Sequence, residues 1–208
     1  MIAARLGRAA GLVTVSLSLG LGACAPLTPV PEGGAAGAAW EARRVALSDL
    51  PGWQAVGRLS LQSADQAWHA GLVWEEGDAG YRVRLLGPLG QGAVEIEGDA
   101  GGVRLRTARG DTHVASDAEA LMREALGWSV PVGGLRYWLL GRDDPGGGAA
   151  HPTLDPEGRP LTLTQGGWEV RYLDYLPAEP VSLPARVQLD RGDLHARVVI
   201  NRWELAAP

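Results

Sequence analysis

The chain has 208 residues, a formal net charge of −5 and 46% hydrophobic residues, with one cysteine, eight tryptophans and no phenylalanine. The net negative charge argues against a nucleic-acid-binding protein, because such binding rests on basic patches. It also argues against general electrostatic adhesion to anionic lipid. A single cysteine cannot form a disulfide within the chain, so the core must be stable without covalent cross-links.

The N-terminus predicts export from the cytoplasm. Two arginines precede an uncharged apolar run over Ala9–Leu21, and the small residues Gly22 and Ala23 follow it. This order is typical of a secretory signal peptide, here residues 1–23, and the apolar run is too short to span a bilayer comfortably.

Cys24 comes directly after the predicted cleavage site. The residues Leu-Gly-Ala-Cys look like a bacterial lipobox, in which the thiol receives a diacylglycerol and the new amino group is then acylated. The alternative is an ordinary exported protein with an incidental cysteine at the cut. Because the lone cysteine stands at the first position after the cut, we expect lipid attachment at Cys24. Several acyl chains on one residue would anchor the protein stably. We expect no other cofactor. An aspartate directly after the lipidated cysteine resembles an inner-membrane retention signal, but here that residue is Ala25. We therefore expect the protein to be anchored in the outer membrane and to face the periplasm.

A tether and a short helix are predicted next. Residues 24–39 are rich in Pro, Gly and Ala and read as a flexible tether between the lipid and the folded body. Apolar residues at three-to-four spacing predict a helix over Trp40–Leu50, ended by Pro51.

Alternating apolar residues then predict six consecutive strands. They cover Trp53–Gln62, Trp68–Trp74, the two arms of Tyr81–Glu97, Val103–Thr107 and Thr112–Ala115. Glu75–Gly80 is predicted as a polar turn, and Gly87–Gly92 as the tight turn between the two arms. A leucine left in water at such a tip forgoes roughly 1.5–3 kcal/mol of burial, so local rules favour a Leu89 folded back onto the core. The alternative is that something apolar meets Leu89 from outside.

The spacing of apolar residues changes after residue 116. Asp117 predicts the N-cap of a helix over Ala118–Leu126 that ends at Gly127, and Pro131 opens a second helix over Val132–Leu140. Asp143–Glu157 is predicted to be an unstructured surface segment. Four further strands are predicted at Leu161–Gln165, Trp168–Tyr172, Arg186–Asp190 and Leu194–Trp203.

These elements predict a mainly β fold of the α+β class. We expect one domain over residues 40–208, built as an incomplete antiparallel β-barrel of about ten to eleven strands, with the two inserted helices as a lid over a hydrophobic cavity. Five tryptophans lie on predicted inward faces: Trp53, Trp68, Trp74, Trp138 and Trp168. The alternative for these rings is that they only fill the core.

Motifs for catalysis or metal binding are missing from the sequence. The four histidines, His69, His113, His151 and His195, are scattered without metal-ligand spacing. There is no H-E-x-x-H, G-x-S-x-G or C-x-x-C pattern. We therefore predict no enzyme and no metal site.

An ordered set of residues resembles the LolB family of outer-membrane lipoprotein receptors. The set comprises Trp53, Gly57, Arg58, Leu59, Trp68, Trp74, Pro88, Leu89, Gly90, Gly127, Pro131, Val132, Leu135, Trp138, Leu139, Gly141, Gly167, Trp168, Val170, Tyr172, Pro184, Val187, Val198, Ile200 and Trp203. The resemblance runs from about residue 40 to 205, and Gly146–Ala150 looks like a local insertion.

The resemblance implies an unclosed barrel with a helical lid around an acyl-binding cavity. It implies that the protein takes acylated lipoproteins from the soluble periplasmic carrier LolA, as a monomer, and releases them into the inner leaflet of the outer membrane. In the family, a leucine at the tip of a protruding loop is needed for delivery, and the Pro-Leu-Gly match assigns that role to Leu89, within the loop residues Gly87, Pro88, Leu89 and Gly90. Beside a membrane, an apolar tip recovers its burial energy in the headgroup–acyl boundary, which favours an exposed Leu89.

We assign the cavity lining to inward-facing apolar residues. They are Trp53, Leu59, Leu61, Trp68, Leu72, Trp74, Val83, Leu85, Ile96, Leu135, Trp138 and Trp168. The alternative from another class is an envelope lipoprotein that binds a small hydrophobic ligand or acts as a scaffold. The third hypothesis is an enzyme such as a lipid hydrolase.

Overall fold

The computed structural model describes residues 34–64, 66–87, 92–127 and 129–206. The predicted signal peptide and Cys24 lie outside the described residues, as do Pro88, Leu89 and Gly90. The predictions made on them therefore stay predictions.

Within these residues the chain forms three helices and eleven strands. The helices are α1 (Ala35–Ser48), α2 (Ala118–Leu126) and α3 (Val132–Trp138). The strands are β1 (Gly52–Gln62), β2 (Ala67–Gly77), β3 (Gly80–Leu86), β4 (Val94–Asp99), β5 (Gly102–Thr107), β6 (Thr112–Ala115), β7 (His151–Leu154), β8 (Pro160–Gln165), β9 (Trp168–Leu176), β10 (Leu183–Arg191) and β11 (Leu194–Leu205).

All eleven strands belong to one antiparallel sheet, in the order β6-β5-β4-β3-β2-β1-β11-β10-β9-β8-β7. Strands β1 to β6 pair in sequence order, as do strands β7 to β11, and β1 pairs with β11 in the middle of the sheet. The edge strands β6 and β7 do not pair with each other, so the sheet is open. The predicted mainly β, unclosed antiparallel fold is confirmed.

One face of this sheet and the two inserted helices form a single hydrophobic core. Strands β3 and β4 show why: Val83 pairs with Ile96 and both are buried, whereas Arg82 and Glu97 on the opposite face pair with each other. Because side chains alternate along a strand, this pattern fixes the inner and outer faces of the sheet. The inner face is the one that α2 and α3 cover.

The junction of β1 and β11 requires a glycine. The register shifts between Val56 and Gly57, and a Cβ at Gly57 would collide with the carbonyl oxygen of Val199. Glycine permits this close approach of two backbones, which a bulge in the sheet needs. A glycine at position 57 therefore allows β1 and β11 to pair at this bulge.

Helix α2 has the predicted bounds. The Asp117 carboxylate accepts hydrogen bonds from the backbone N–H groups of Glu119 and Ala120, and Gly127 ends the helix with a φ of 78°. Both are local signals that do not depend on the rest of the fold.

Helix α1 begins at Ala35, so the predicted tether is wrong for residues 35–39 and the helix does not start at Trp40. Ala36 and Trp40 are buried in a small cluster with Leu154. Alanine favours helix, and packing on a distant strand orders the segment.

Other segments also differ from the predictions. Strand β7 lies inside the segment 143–157 that was predicted to be unstructured, because it pairs with β8 and buries Leu154. Strand β2 continues through Glu75 and Glu76, which pair in register with β1, so the predicted turn over residues 75–80 is shorter. Helix α3 ends at Trp138, two residues before the predicted end.

Candidate functional site

A small apolar cavity lies between the inner face of the sheet and the lid helices α2 and α3. Its volume is about 30 Å³, which is small beside the several hundred Å³ typical of ligand pockets. Seven of the predicted lining residues surround it, namely Leu59, Leu72, Trp74, Val83, Leu85, Ile96 and Leu135. The structure thus brings strands β1 to β4 and α3 together around one apolar space.

Five further lining residues were missed by the sequence prediction: Met122, Val130, Val132, Leu139 and Val198. Met122 and Leu139 lie on the apolar faces of the predicted helices, so helical periodicity carried a signal for them. Val130 lies in the connection between α2 and α3, where no periodicity exists.

The remaining predicted lining residues lie elsewhere in the core. Trp53 packs beside Trp74 and Trp203, with ring centroids 5.7 Å and 5.4 Å away. Trp138 and Trp168 contact each other with centroids 6.2 Å apart. These rings fill the core around the cavity.

Trp68 and Leu61 also lie away from the cavity. Trp68 is partly buried and packs against the core, whereas Leu61 is fully buried on the inner face of β1. Neither lines the cavity. Their predicted acyl contact stays a prediction.

Helix α3 is tied to the sheet at one side by an ion pair. Arg136 binds the Glu76 carboxylate, which also accepts a hydrogen bond from Trp74 Nε1 at 3.2 Å. The Arg136 guanidinium carbon lies 5.8 Å from the ring centroid of Tyr81, and burial raises the pKa of Tyr81 to about 12. The phenol is therefore neutral near neutral pH, and the Glu76–Arg136 pair is the charged contact here.

A buried glutamine ties the other side of the lid. Gln165 Oε1 accepts hydrogen bonds from Trp138 Nε1 and the Asp144 backbone N–H, both at 2.9 Å. Its amide nitrogen donates to the carbonyl oxygens of Asp144 and Gly148 at 2.8 Å and 2.9 Å. Because all four contacts are satisfied, this side chain fixes the end of α3 and the segment after it.

Arg43 of α1 makes a third tie. It is buried and donates to the carbonyl oxygens of Leu140 and Ser182 at 2.9 Å and 2.6 Å. Burial lowers the pKa of Arg43, and burial also raises the pKa of Tyr172 well above its ordinary value. Within the described residues, Arg43 Nε and the Tyr172 hydroxyl have no hydrogen-bond partner.

The predicted membrane loop lies at the end of β3. Leu86, the last residue of β3, is 47% exposed, and Gly87 follows it. On the far side Gly92 has a φ of 78°, a conformation that favours glycine. The side chain of Leu89 lies outside the described residues, so its orientation stays a prediction.

A family model described as "Outer membrane lipoprotein LolB" matches residues 51–203. The chain belongs to the LolB family. Curated relatives named outer-membrane lipoprotein LolB include one from Nitrosococcus oceani, 39% identical over 93% of this chain and 96% of the relative. Another, from Alkalilimnicola ehrlichii, is 44% identical over 74% of this chain and 77% of the relative.

Solved structures support the same fold class. A LolA-superfamily protein from Nitrosomonas europaea has a TM-score of 0.52 at 10% identity, covering 85% of this chain and 96% of that one. A DUF1329-family protein from Desulfovibrio piger has a TM-score of 0.50 at 5% identity, covering 84% and 95%. At such low identity these likenesses concern the fold alone.

The described residues contain neither a membrane-spanning helix nor a clustered metal site. None of their helices is both long and apolar enough to cross a membrane. They likewise contain no group of three or more His, Cys, Asp or Glu side chains placed to hold a metal ion.

Proposed function

We propose that this LolB-family protein is an outer-membrane-anchored lipoprotein that accepts acylated lipoproteins from a soluble LolA-type carrier and incorporates them into the outer membrane. The main support for this proposal is the match to the LolB family over residues 51–203. The apolar cavity between sheet and lid is the place where a cargo acyl chain would be held. The proposal assigns no catalytic step and needs no cofactor besides the lipid on Cys24.

The energetics of an acyl chain make such a receptor necessary. A chain of about 14 methylenes gains about 11 kcal/mol by leaving water, so a lipoprotein does not cross an aqueous space with its chains exposed. Direct passage from one apolar cavity to another avoids that cost. Without a nucleotide motif in the sequence, transfer runs from weaker to stronger apolar sites and ends in the bilayer.

The cavity must enlarge to admit a chain. Its volume of about 30 Å³ is about a tenth of the ~300 Å³ at the small end of ligand pockets, far less than an acyl chain needs. The lining residues come from the sheet on one side and from α2, α3 and their connection on the other. Movement of a lid helix away from the inner face would therefore enlarge the cavity.

Delivery to the membrane is proposed to depend on the loop after β3. Anchoring at Cys24 would hold the domain near the bilayer, and an exposed Leu89 would enter the headgroup–acyl boundary. The exposed Leu86 and the glycines at positions 87 and 92 would place that tip beyond the sheet.

Transfer of a labelled lipoprotein tests the proposal. The mature, lipid-modified protein is placed in vesicles, and carrier loaded with labelled lipoprotein is added. We expect the label to move from the soluble fraction to vesicles that contain the protein and to remain soluble with protein-free vesicles. Equal transfer to both kinds of vesicle would contradict the proposal.

A variant at the loop separates uptake from delivery. Leu89→Glu is expected to form the complex with cargo but to release little of it into the bilayer, because a charged tip is costly to bury. The matched control is Gln91→Glu, which places the same charge two residues further along the loop and leaves Leu89 in place. Normal delivery by Leu89→Glu would contradict this role and favour the alternative in which Leu89 folds back onto the core.

A further inference from the structure

A groove lies on the outer face of the sheet, beside the loop that follows β3. Its volume is about 490 Å³, and its lining includes Arg58, His69, Gly71, Leu86, Arg197 and Val199. It reaches Gly87, where the loop begins. We call it the tip groove.

Strand register explains the shape of the tip groove. Gly71 pairs with Leu86 on one side and with Arg58 on the other, and Ser60 pairs with both His69 and Arg197. Cross-strand neighbours lie about 5 Å apart, so the small residues Gly71 and Ser60 leave a depression between longer side chains. The depression has the apolar Leu86 at one edge and guanidinium groups at the other.

The arginines of the tip groove differ from other arginines on the outer face. Arg82 lies 2.7 Å from Glu97, Arg84 lies 2.9 Å from Glu75, and Arg186 lies 3.0 Å from Asp174. Across the described residues, neither Arg58 nor Arg197 has a carboxylate within salt-bridge distance, and both are exposed.

Arg197 hydrogen-bonds to a neutral side chain. With the Gln188 amide oxygen turned toward it, Arg197 donates to that oxygen from Nε at 3.2 Å and from Nη2 at 2.6 Å. A neutral amide leaves the positive charge uncompensated. The tip groove is therefore locally positive, although the whole chain has a net charge of −5.

We infer that the tip groove binds the phosphate group of a phospholipid in the membrane that the adjacent loop enters. Guanidinium groups match the planar, bidentate geometry of phosphate oxygens. Leu86 and Val199 supply apolar surface for the part of the lipid below its headgroup. The inference rests on the proposed function, because that function brings this edge of the sheet to a bilayer.

The mixed lining favours a lipid over an acidic protein segment. A phospholipid is itself anionic at the phosphate and apolar beyond it, so one molecule can contact both the arginines and Leu86. The net negative charge of the chain limits this attraction to the groove and prevents general adhesion. The loop and the groove would then act together, the first in the acyl region and the second at the headgroups.

Chemical modification of arginine in the mature, lipid-anchored protein tests the inference without any cargo. The protein is placed in phosphatidylcholine–phosphatidylglycerol vesicles, in vesicles of the phosphate-free lipid digalactosyl diacylglycerol, and in neutral detergent micelles. It is then treated with phenylglyoxal, and modified peptides are quantified by mass spectrometry. Arg104 and Arg202 are internal controls, because both are exposed and lie next to Glu97 and Glu204.

We expect Arg58 and Arg197 to react about fivefold more slowly in the phospholipid vesicles than in micelles, the equivalent of about 1 kcal/mol per arginine at a lipid surface. In the phosphate-free vesicles both should react as in micelles, and the control arginines should react equally throughout. Equal reaction of Arg58 in all three settings would overturn the inference. Protection in phosphate-free vesicles would also overturn it, because that result would show shielding by the nearby bilayer without any contact to phosphate. Failure of cargo transfer, in contrast, would be seen only in the labelled-lipoprotein assay.

Discussion

The two lid helices are held to the sheet in different ways. Helix α3 and the residues directly after it are tied by Arg136 to Glu76, by Trp138 to Gln165 and by the Leu140 carbonyl to Arg43. Helix α2 packs on β5 and β6 through buried apolar residues. Within the described residues no side-chain hydrogen bond or ion pair joins α2 to the sheet.

This difference indicates which helix moves first. Hydrogen bonds and ion pairs have specific geometry and are lost when a helix shifts by a few ångströms, whereas apolar contacts are non-directional. Helix α2 can therefore slide or lift at lower cost than α3. We expect α2 to open the cavity and α3 to stay as its fixed wall.

The largest effect is expected from removing the glutamine that ties α3. Gln165→Ala leaves Trp138 Nε1 and the backbone groups of Asp144 without partners, at a cost of about 3 kcal/mol in unfolding free energy. Denaturant unfolding measures it, and hydrogen exchange should rise in α3 but not in α2. The control Gln62→Ala changes an exposed glutamine of β1 and should cost less than about 0.5 kcal/mol.

A smaller effect is expected when the N-cap of α2 is removed. Asp117→Ala deletes the acceptor for the N–H groups of Glu119 and Ala120 and should cost about 1 kcal/mol. If α2 is the mobile helix, hydrogen exchange rises in α2 alone and cargo loads faster. The control Glu124→Ala removes an exposed carboxylate from the same helix. Faster loading by the control as well would show that charge, and not helix fraying, controls the cavity.

Loosening the ion pair of α3 should change loading less than the α2 variant does. Glu76→Gln keeps an acceptor for Trp74 Nε1 but removes the charge that faces Arg136, at a cost of about 0.5–1 kcal/mol because the arginine is partly exposed. The control is Glu204→Gln, whose partner Arg202 lies 2.8 Å away on the surface. Cargo loading that accelerates more in Glu76→Gln than in Asp117→Ala would reverse the assignment of the moving helix.

The smallest expected effect is a pH-dependent change in stability caused by Asp190, which lies away from both helices. Partial burial opposes the charge of Asp190, but hydrogen bonds from His195 and Arg171 outweigh it and lower the pKa of Asp190 below its ordinary value. The carboxylate therefore stabilises the fold above the ordinary value of 3.8, and that contribution is lost as the pH falls below it.

Asp190→Asn should consequently cost about 0.5 kcal/mol near neutral pH and progressively less in acid. Unfolding curves of both proteins across this range measure the difference, and hydrogen exchange of α2 and α3 should remain unchanged. A difference that grows in acid would contradict the sign of the shift.

Much of the fold could be predicted because its signals are local. Asp117 and Gly127 define α2 by themselves, and the alternation of Val83 and Leu85 against Arg82 and Arg84 defines the faces of β3. Such patterns need no knowledge of the partner strand.

The errors concern segments whose structure depends on distant residues. Residues 35–39 are helical because Ala36 packs with Leu154, more than a hundred positions away, and β7 is a strand because β8 pairs with it. Composition alone made both segments look flexible.

The cavity could be predicted only in part for a similar reason. Alternation identifies which strand residues face inward, but the position of the helices decides which of them border the cavity. Trp138 has an inward-facing position and yet its indole binds Gln165 instead of lining the cavity. Val130 lines it from a connection that has no pattern to recognise.

One measurement tests the central claim that a cargo acyl chain enters the cavity between sheet and lid. The chain has two methionines, Met1 in the predicted signal peptide and Met122 in the cavity lining, so photo-methionine would label the mature protein only at Met122. The control carries Met122→Leu and Val114→Met, which moves the probe to a position 68% exposed on the outer face. We expect illumination of the cargo complex to cross-link the acyl chain to the probe at position 122 and not to the one at position 114. No cross-link from position 122, or an equal yield from both positions, would contradict the account.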